Sequence, residues 1–178
     1  MITAKALTAG HSIRLACKGL QRRQHWIKRT AHQLHADQRA LPGSHAYALA
    51  GQAGEALAPL GITVVSGCGS PATRVAAERA ILANGLVLSI VPPDQMPPPD
   101  WAATIVLPCG MGDARNLLMA LAGAACIVIV GGRAGTKSAI HLAWLHKQPL
   151  LPLVGCGGWS DGPPSIPPDE RKNSPILP

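Results

Sequence analysis

At 178 residues the chain is long enough for one domain with a sizeable buried core. Its formal net charge of +7 belongs to residues 1–40, which hold eight of the sixteen Lys and Arg and one acid, Asp37; the remainder is no polycation. Four Trp, one Tyr and no Phe leave few flat platforms for stacking bases, which argues against nucleic acid as the partner.

Residues 1–40 read as a basic N-terminal arm, helical or poorly ordered, with Ile13, Leu15, Leu20, Trp26, Ile27 and Leu34 scattered among Arg22, Arg23, Lys28, Arg29 and four histidines. A folded α/β unit would want a first strand here, but 37–41 is too polar to supply one. After the turn signal at 41–44, residues 47–60 carry Leu49, Ala53, Ala56, Leu57 and Leu60 near one helical face. Gly51 and Gly54 weaken that helix and Gly61 closes it. A short buried strand at 62–65 leads into a glycine-bearing turn at 66–72 and a helix at 73–83, which Asn84-Gly85 ends. A strand at 86–91 stops at Pro92-Pro93, and five prolines in 92–100 make a stiff rim. Residues 103–107 form another strand, and 111–114 open a helix carrying Arg115, Leu117, Leu118, Met119 and Leu121.

The β-branched run 127–130 reads as a strand buried on both faces, ending in Gly131-Gly132-Arg133-Ala134-Gly135-Thr136 before a helix at 137–146. Strand, glycine turn and helix together make a recipe for an anion site: the backbone can approach a phosphate, and unpaired N–H groups at the positive end of the dipole point at it. The same geometry also serves as a tight turn with no ligand. The spacing matches neither G-x-G-x-x-G nor the Walker loop. A last strand at 149–154 leads to a glycine-rich closing loop at 155–161, and 162–178, with six prolines, reads as an unpacked tail.

Alternating strands and helices with short connections predict an α/β fold, a Rossmann-like doubly wound parallel sheet in a single domain at 41–161. The glycine turns at 67–69, 131–135 and 155–158 then leave one edge of the sheet, where ligands bind in such folds. No apolar run is long enough to span a bilayer, and five cysteines without a Cys-x-x-Cys pair fit reduced thiols in the cytoplasm. Cys68, Cys109 and Cys156 sit at the ligand edge but lack metal-ligand spacing, as do His141 and His146, so no metal is expected.

Three segments carry a resemblance: Tyr47-x-x-Ala50 with Gly54, Leu57-Ala58 and 61–65; Gly110-Met-Gly-Asp-Ala-Arg115-Asn116; and Val130-Gly-Gly-Arg-Ala-Gly-Thr136 followed by Pro149, Gly157-Gly158-Trp159 and Asp161. Over about residues 43–161 the chain resembles the Rossmann-like proteins related to LOG, the cytokinin-activating phosphoribohydrolases often labelled "putative lysine decarboxylase", within the nucleotide-sensing SLOG superfamily. The branch that includes the molybdenum-cofactor carrier proteins resembles it most. The resemblance implies a homodimer. It also implies a phosphate-binding turn for a nucleoside 5′-monophosphate or a molybdopterin-type ligand, lined by Gly67, Ser70, Met111, Arg115, Asn116, Gly131, Gly132, Arg133, Gly135 and Thr136. In the LOG-type enzymes an arginine matching Arg115 and a glutamate three residues after the Gly-Thr pair support cleavage of the N-glycosidic bond. Here that position is Ala139, so the carboxylate that would stabilise positive charge on the ribose is missing. Arg74 stands where the family usually has an acid, and with Arg133 and Lys137 it makes the expected site basic. These departures favour a binding or carrier protein for a nucleotide or phosphorylated cofactor. The alternative is a phosphoribohydrolase with Arg115 as its catalytic residue.

Overall fold

The computed structural model describes residues 31–36, 39–67, 69–92, 99–130, 133–161, 168–171 and 175–177. Six strands form one sheet: β1 (Ala31–Ala36), β2 (Thr63–Ser66), β3 (Val87–Val91), β4 (Ile105–Pro108), β5 (Cys126–Ile129) and β6 (Leu150–Pro152). All neighbours run parallel, in the order β4-β3-β2-β1-β5-β6. The chain steps outward from β1 to β4, then returns to lay β5 on the other side of β1. That reversal leaves a crevice at the carboxyl ends of β1 and β5, where open α/β sheets hold ligands.

Among the described residues four helices cover the two faces: α1 (His45–Leu57), α2 (Pro71–Leu82), α3 (Arg115–Ala122) and α4 (Ala134–Leu145). Alternation along the strands assigns each face. Ile127 and Ile129 of β5 join Leu34, Val64 and Val87 in a core with α1 and α2, whereas Cys126 and Val128 pack against Ile140, Ala143 and Trp144 of α4. Met119 of α3 closes on Val65 and Ile90 on that second face.

Local chemistry sets the helix ends. Ser44 Oγ accepts from the Tyr47 N–H at 3.2 Å to open α1, and Ser70 and Thr73 form a capping box that opens α2. Gly61, at φ 67°, ends the short 3-10 turn after α1. Gly54 does not merely weaken α1, as its helix propensity suggests: a Cβ there would lie 1.9 Å from the Ala76 carbonyl oxygen, so its bareness lets α1 and α2 approach closely.

Two expectations need correction. Residues 31–36 do not belong to a basic arm reaching residue 40; they are β1, paired on both sides. Polar His32, Gln33 and His35 hid the strand, yet all three are buried. The described parts of the tail are packed as well: Leu150 donates to the Pro175 carbonyl at 3.1 Å, Leu177 donates to the Leu150 carbonyl at 2.9 Å, and Trp144 Nε1 donates to Asp169 at 2.8 Å. Residues 1–30, Cys68 and the Gly131-Gly132 pair lie outside the described residues.

Candidate functional site

A cleft of about 260 Å³ opens at the carboxyl ends of β1, β2 and β5. The end of β1 supplies Leu34, His35 and Ala36; the turn after β2 supplies Gly67 and Gly69, and α2 adds Thr73. Asp113, Arg115, Asn116 and Met119 enter from α3 and the turn before it, and Arg133, Gly135 and Thr136 from the start of α4.

Among the predicted site residues, Gly67, Arg115, Asn116, Arg133, Gly135 and Thr136 are therefore brought together. Ser70 and Met111 are not among the lining residues: Ser70 Oγ is used in capping α2, and Met111 is exposed ahead of a 3-10 turn. Lys137 is also outside the lining, and Arg74 points elsewhere: it donates to Glu78 at 2.9 Å and Asp100 at 2.6 Å and lies over Trp101. Those partners raise its pKa, so the charge expected at the second turn is spent on a surface cluster.

Arg115 holds the centre. Its Nη1 donates to the Gly112 carbonyl at 2.9 Å and to Asp113 at 3.2 Å, which fixes the guanidinium at the mouth of the cleft. Its buried Nε has no hydrogen-bond partner. A Cβ on Gly67 would come within 3.2 Å of Met119 Sδ and 3.5 Å of that nitrogen, so glycine lets the turn after β2 pack closely on α3. Across the cleft Asn116 Nδ2 donates to the Gly135 carbonyl at 3.3 Å and ties α3 to the turn that starts α4.

The N-termini differ in a telling way. Serines cap α1 and α2, but the residue preceding α4, Arg133, makes no side-chain capping bond. The first N–H groups of α4 thus have no capping side chain where they border the cleft. Thr136 is buried in this first turn, while Ala139, one turn on, is fully buried and outside the lining.

The third glycine turn leaves the same sheet edge but is already filled. Asp161 accepts from the Gly155 N–H at 2.5 Å and the Gly157 N–H at 2.8 Å. The loop also clamps Val130, which sits at φ 67°, a conformation that strains a β-branched residue. Ser160 donates to the carbonyls of Val130 at 3.1 Å and Val128 at 2.9 Å. Gly158 lies so close to Val130 that a Cβ would be 2.3 Å from its carbonyl oxygen. Only two of the three turns thus reach the cleft, and the third braces the strand end between them.

His35 was not foreseen. Its Nε2 lies 2.9 Å from Gln33 Oε1, and burial together with the Arg115 charge lowers its pKa to about 4, so the ring is neutral at physiological pH. Among the described residues no group of three His, Cys, Asp or Glu is arranged to hold a metal ion; Cys156 is pushed up to about 12 by burial first and by Asp161 second. No helix of the described residues is long and apolar enough to cross a membrane.

Known structures share this architecture. The structural-genomics target TM1055 is 21% identical with a TM-score of 0.72, over 82% of this chain and 89% of that one. The molybdenum cofactor binding protein from the phototrophic bacterium Rippkaea orientalis is 25% identical with a TM-score of 0.61, over 68% and 74%. The molybdenum cofactor carrier protein from Chlamydomonas reinhardtii is 23% identical with a TM-score of 0.59, over the same shares. No curated protein matches the sequence. The SLOG cluster4 family model matches residues 36–164, from the end of β1 past the closing loop, and the chain belongs to that family.

Proposed function

We propose that the chain is a binding or carrier protein for a nucleotide or phosphorylated cofactor, without hydrolase chemistry. The observation that carries this reading is the pairing of two donor sets on one cleft: the uncapped start of α4 and the guanidinium of Arg115. A phosphate accepts from both. Cleavage of an N-glycosidic bond, by contrast, builds positive charge that wants a carboxylate beside it. Asp113 is the one acid among the described lining residues, and it is exposed and paired to Arg115. The neighbours described as molybdenum cofactor binding and carrier proteins make a molybdopterin-type ligand a candidate beside nucleoside monophosphates.

The test is thermal stabilisation by a panel of nucleoside monophosphates and a molybdopterin-type ligand. A ligand at a hundred times its Kd stabilises by about 2.7 kcal/mol. A flat response across the panel would remove the proposal. The retained Arg115 favours a second reading, a LOG-type phosphoribohydrolase, for which release of free base from a monophosphate is the assay; we expect none. A homodimer belongs to the same proposal: Ile105 and Leu107 on the edge strand β4, with Leu121 on α3, leave apolar side chains exposed. Sedimentation as a monomer at micromolar concentration would remove that part. A cytoplasmic setting with reduced thiols completes it.

A further inference from the structure

The polar side chains of β1 form an ordered chain of donors. Gln148 Nε2 donates to the carbonyls of Ala120 and Gly123, the latter at 2.7 Å. Carbonyls only accept, so the Gln148 oxygen is the atom left to face Gln33, whose Nε2 donates to it at 2.6 Å. That turns the Gln33 oxygen toward His35 Nε2, 2.9 Å away. An amide oxygen has no proton to give, so His35 Nε2 carries the proton and the lone pair lies on Nδ1. Both glutamines are buried, and flipping either amide would set donor against donor or acceptor against acceptor. The backbone carbonyls at one end thereby dictate the tautomer at the other.

This ring lines the cleft together with Arg115. Nδ1 has no partner among the described residues, and it is not among the sealed polar atoms, which are His32 Nε2, Gln52 Oε1 and Arg115 Nε. Arg115 and the N–H groups that open α4 offer only donors, and the Asp113 carboxylate is engaged by Arg115, so His35 adds a neutral acceptor to the cleft. The dianion of a phosphate monoester, which has no proton, cannot satisfy it. A hydroxyl or an N–H can.

We propose that His35 is a ligand-binding residue that accepts at Nδ1 a hydrogen bond from a hydroxyl or N–H of the bound molecule. The cleft would thus prefer phosphorylated compounds bearing such a donor, sugar phosphates and nucleotides, over phosphate monoesters that have none. The inference rests on the cleft being the anion site proposed above.

The experiment is an NMR titration at pH 8 of the full-length protein, labelled with nitrogen-15, with AMP, ribose 5-phosphate and methyl phosphate, whose dianion has no donor, for wild type, His35→Leu and Arg115→Ala. His35→Leu should weaken AMP and ribose 5-phosphate about three- to tenfold, the range for one hydrogen bond, and leave methyl phosphate within about twofold. Arg115→Ala should weaken all three. In the wild type the imidazole nitrogens report directly: Nε2 protonated, Nδ1 unprotonated, and Nδ1 shifting on addition of AMP or ribose 5-phosphate but not of methyl phosphate. That readout needs no variant, so a His35→Leu protein that failed to fold would leave it intact. A proton on Nδ1, an Nδ1 signal blind to all three compounds, or equal effects of His35→Leu on all three overturns the role of His35 while the anion cleft stands. If wild type binds none of them, both fall.

Discussion

His35 and Ala139 show how one side chain can decide what the cleft is able to do. Burial first, and Arg115 second, lower the His35 pKa from 6.5 to about 4. In the unfolded chain the ring takes a proton near its ordinary value, so the unfolded state binds more protons than the folded one between those two values. Stability should therefore be level above pH 7, fall as pH drops below 6.5, and be lower by about 2–3 kcal/mol near pH 4.5. His32, buried on the opposite face of β1 and also lowered, pulls in the same direction. Denaturant unfolding at pH 7.5, 5.5 and 4.5 measures the slope, which His35→Gln should flatten; an unchanged slope would mean that His35 titrates normally. Ala139 stands where a hydrolase would want its glutamate, but it is fully buried away from the lining. Ala139→Glu should thus cost about 3 kcal/mol or more, through overpacking and an unpaired buried charge, and release no base from nucleoside monophosphates. The denaturation midpoint and a base-release assay check both halves.

Between elements, the same residue type plays opposite parts. Gly54 and Gly51 lie one turn apart on α1, and sequence alone marks both as weak helix formers. A Cβ on Gly54 would enter the Ala76 backbone, whereas one on Gly51 would meet Arg79 Cγ at 3.3 Å, part of a flexible side chain. Gly54→Ala should destabilise by about 3 kcal/mol, and Gly51→Ala should be neutral or stabilise by up to about 1 kcal/mol. Thermal melts of the two variants separate these outcomes, and equal effects would mean that α1 and α2 are not held at this distance. The contrast also shows what was legible beforehand. The β-branched and apolar runs of β2, β3 and β5 and the helical spacing of α1 to α4 announce themselves, because each buries a continuous face. β1 did not, because Gln33 is buried through a hydrogen bond to Gln148, more than a hundred positions away, and His35 through one to Gln33, rather than through apolarity. With β1 went His35, and with the turn at 155–158 went the knowledge that Asp161 already fills it. Arg115 and the Gly135-Thr136 turn were legible because strand, turn and helix are local, whereas the pairing that drew Arg74 away is not.

Across the whole molecule, charge and fold occupy different lengths of chain. Residues 1–30 hold seven Lys and Arg and no acid, whereas 31–178 hold nine of each sign, so the entire +7 precedes β1. The cleft's own cations, Arg115 and Arg133, act at contact range, and at physiological salt a charge more than about 8 Å away is largely screened. Retention on a polyanion and affinity for a small phosphorylated ligand should therefore separate. A variant beginning at Ala31 has a formal net charge of zero and should pass through a heparin column at low salt, where the full chain is held. Its affinity for AMP should stay within about twofold, because on the proposed reading the ligand's charge is met by Arg115 and the start of α4. If the truncation instead weakened AMP tenfold, with a steep dependence on salt, the basic segment would have to reach the cleft, and the ligand would be bound by long-range attraction rather than by the donors fixed at the sheet edge.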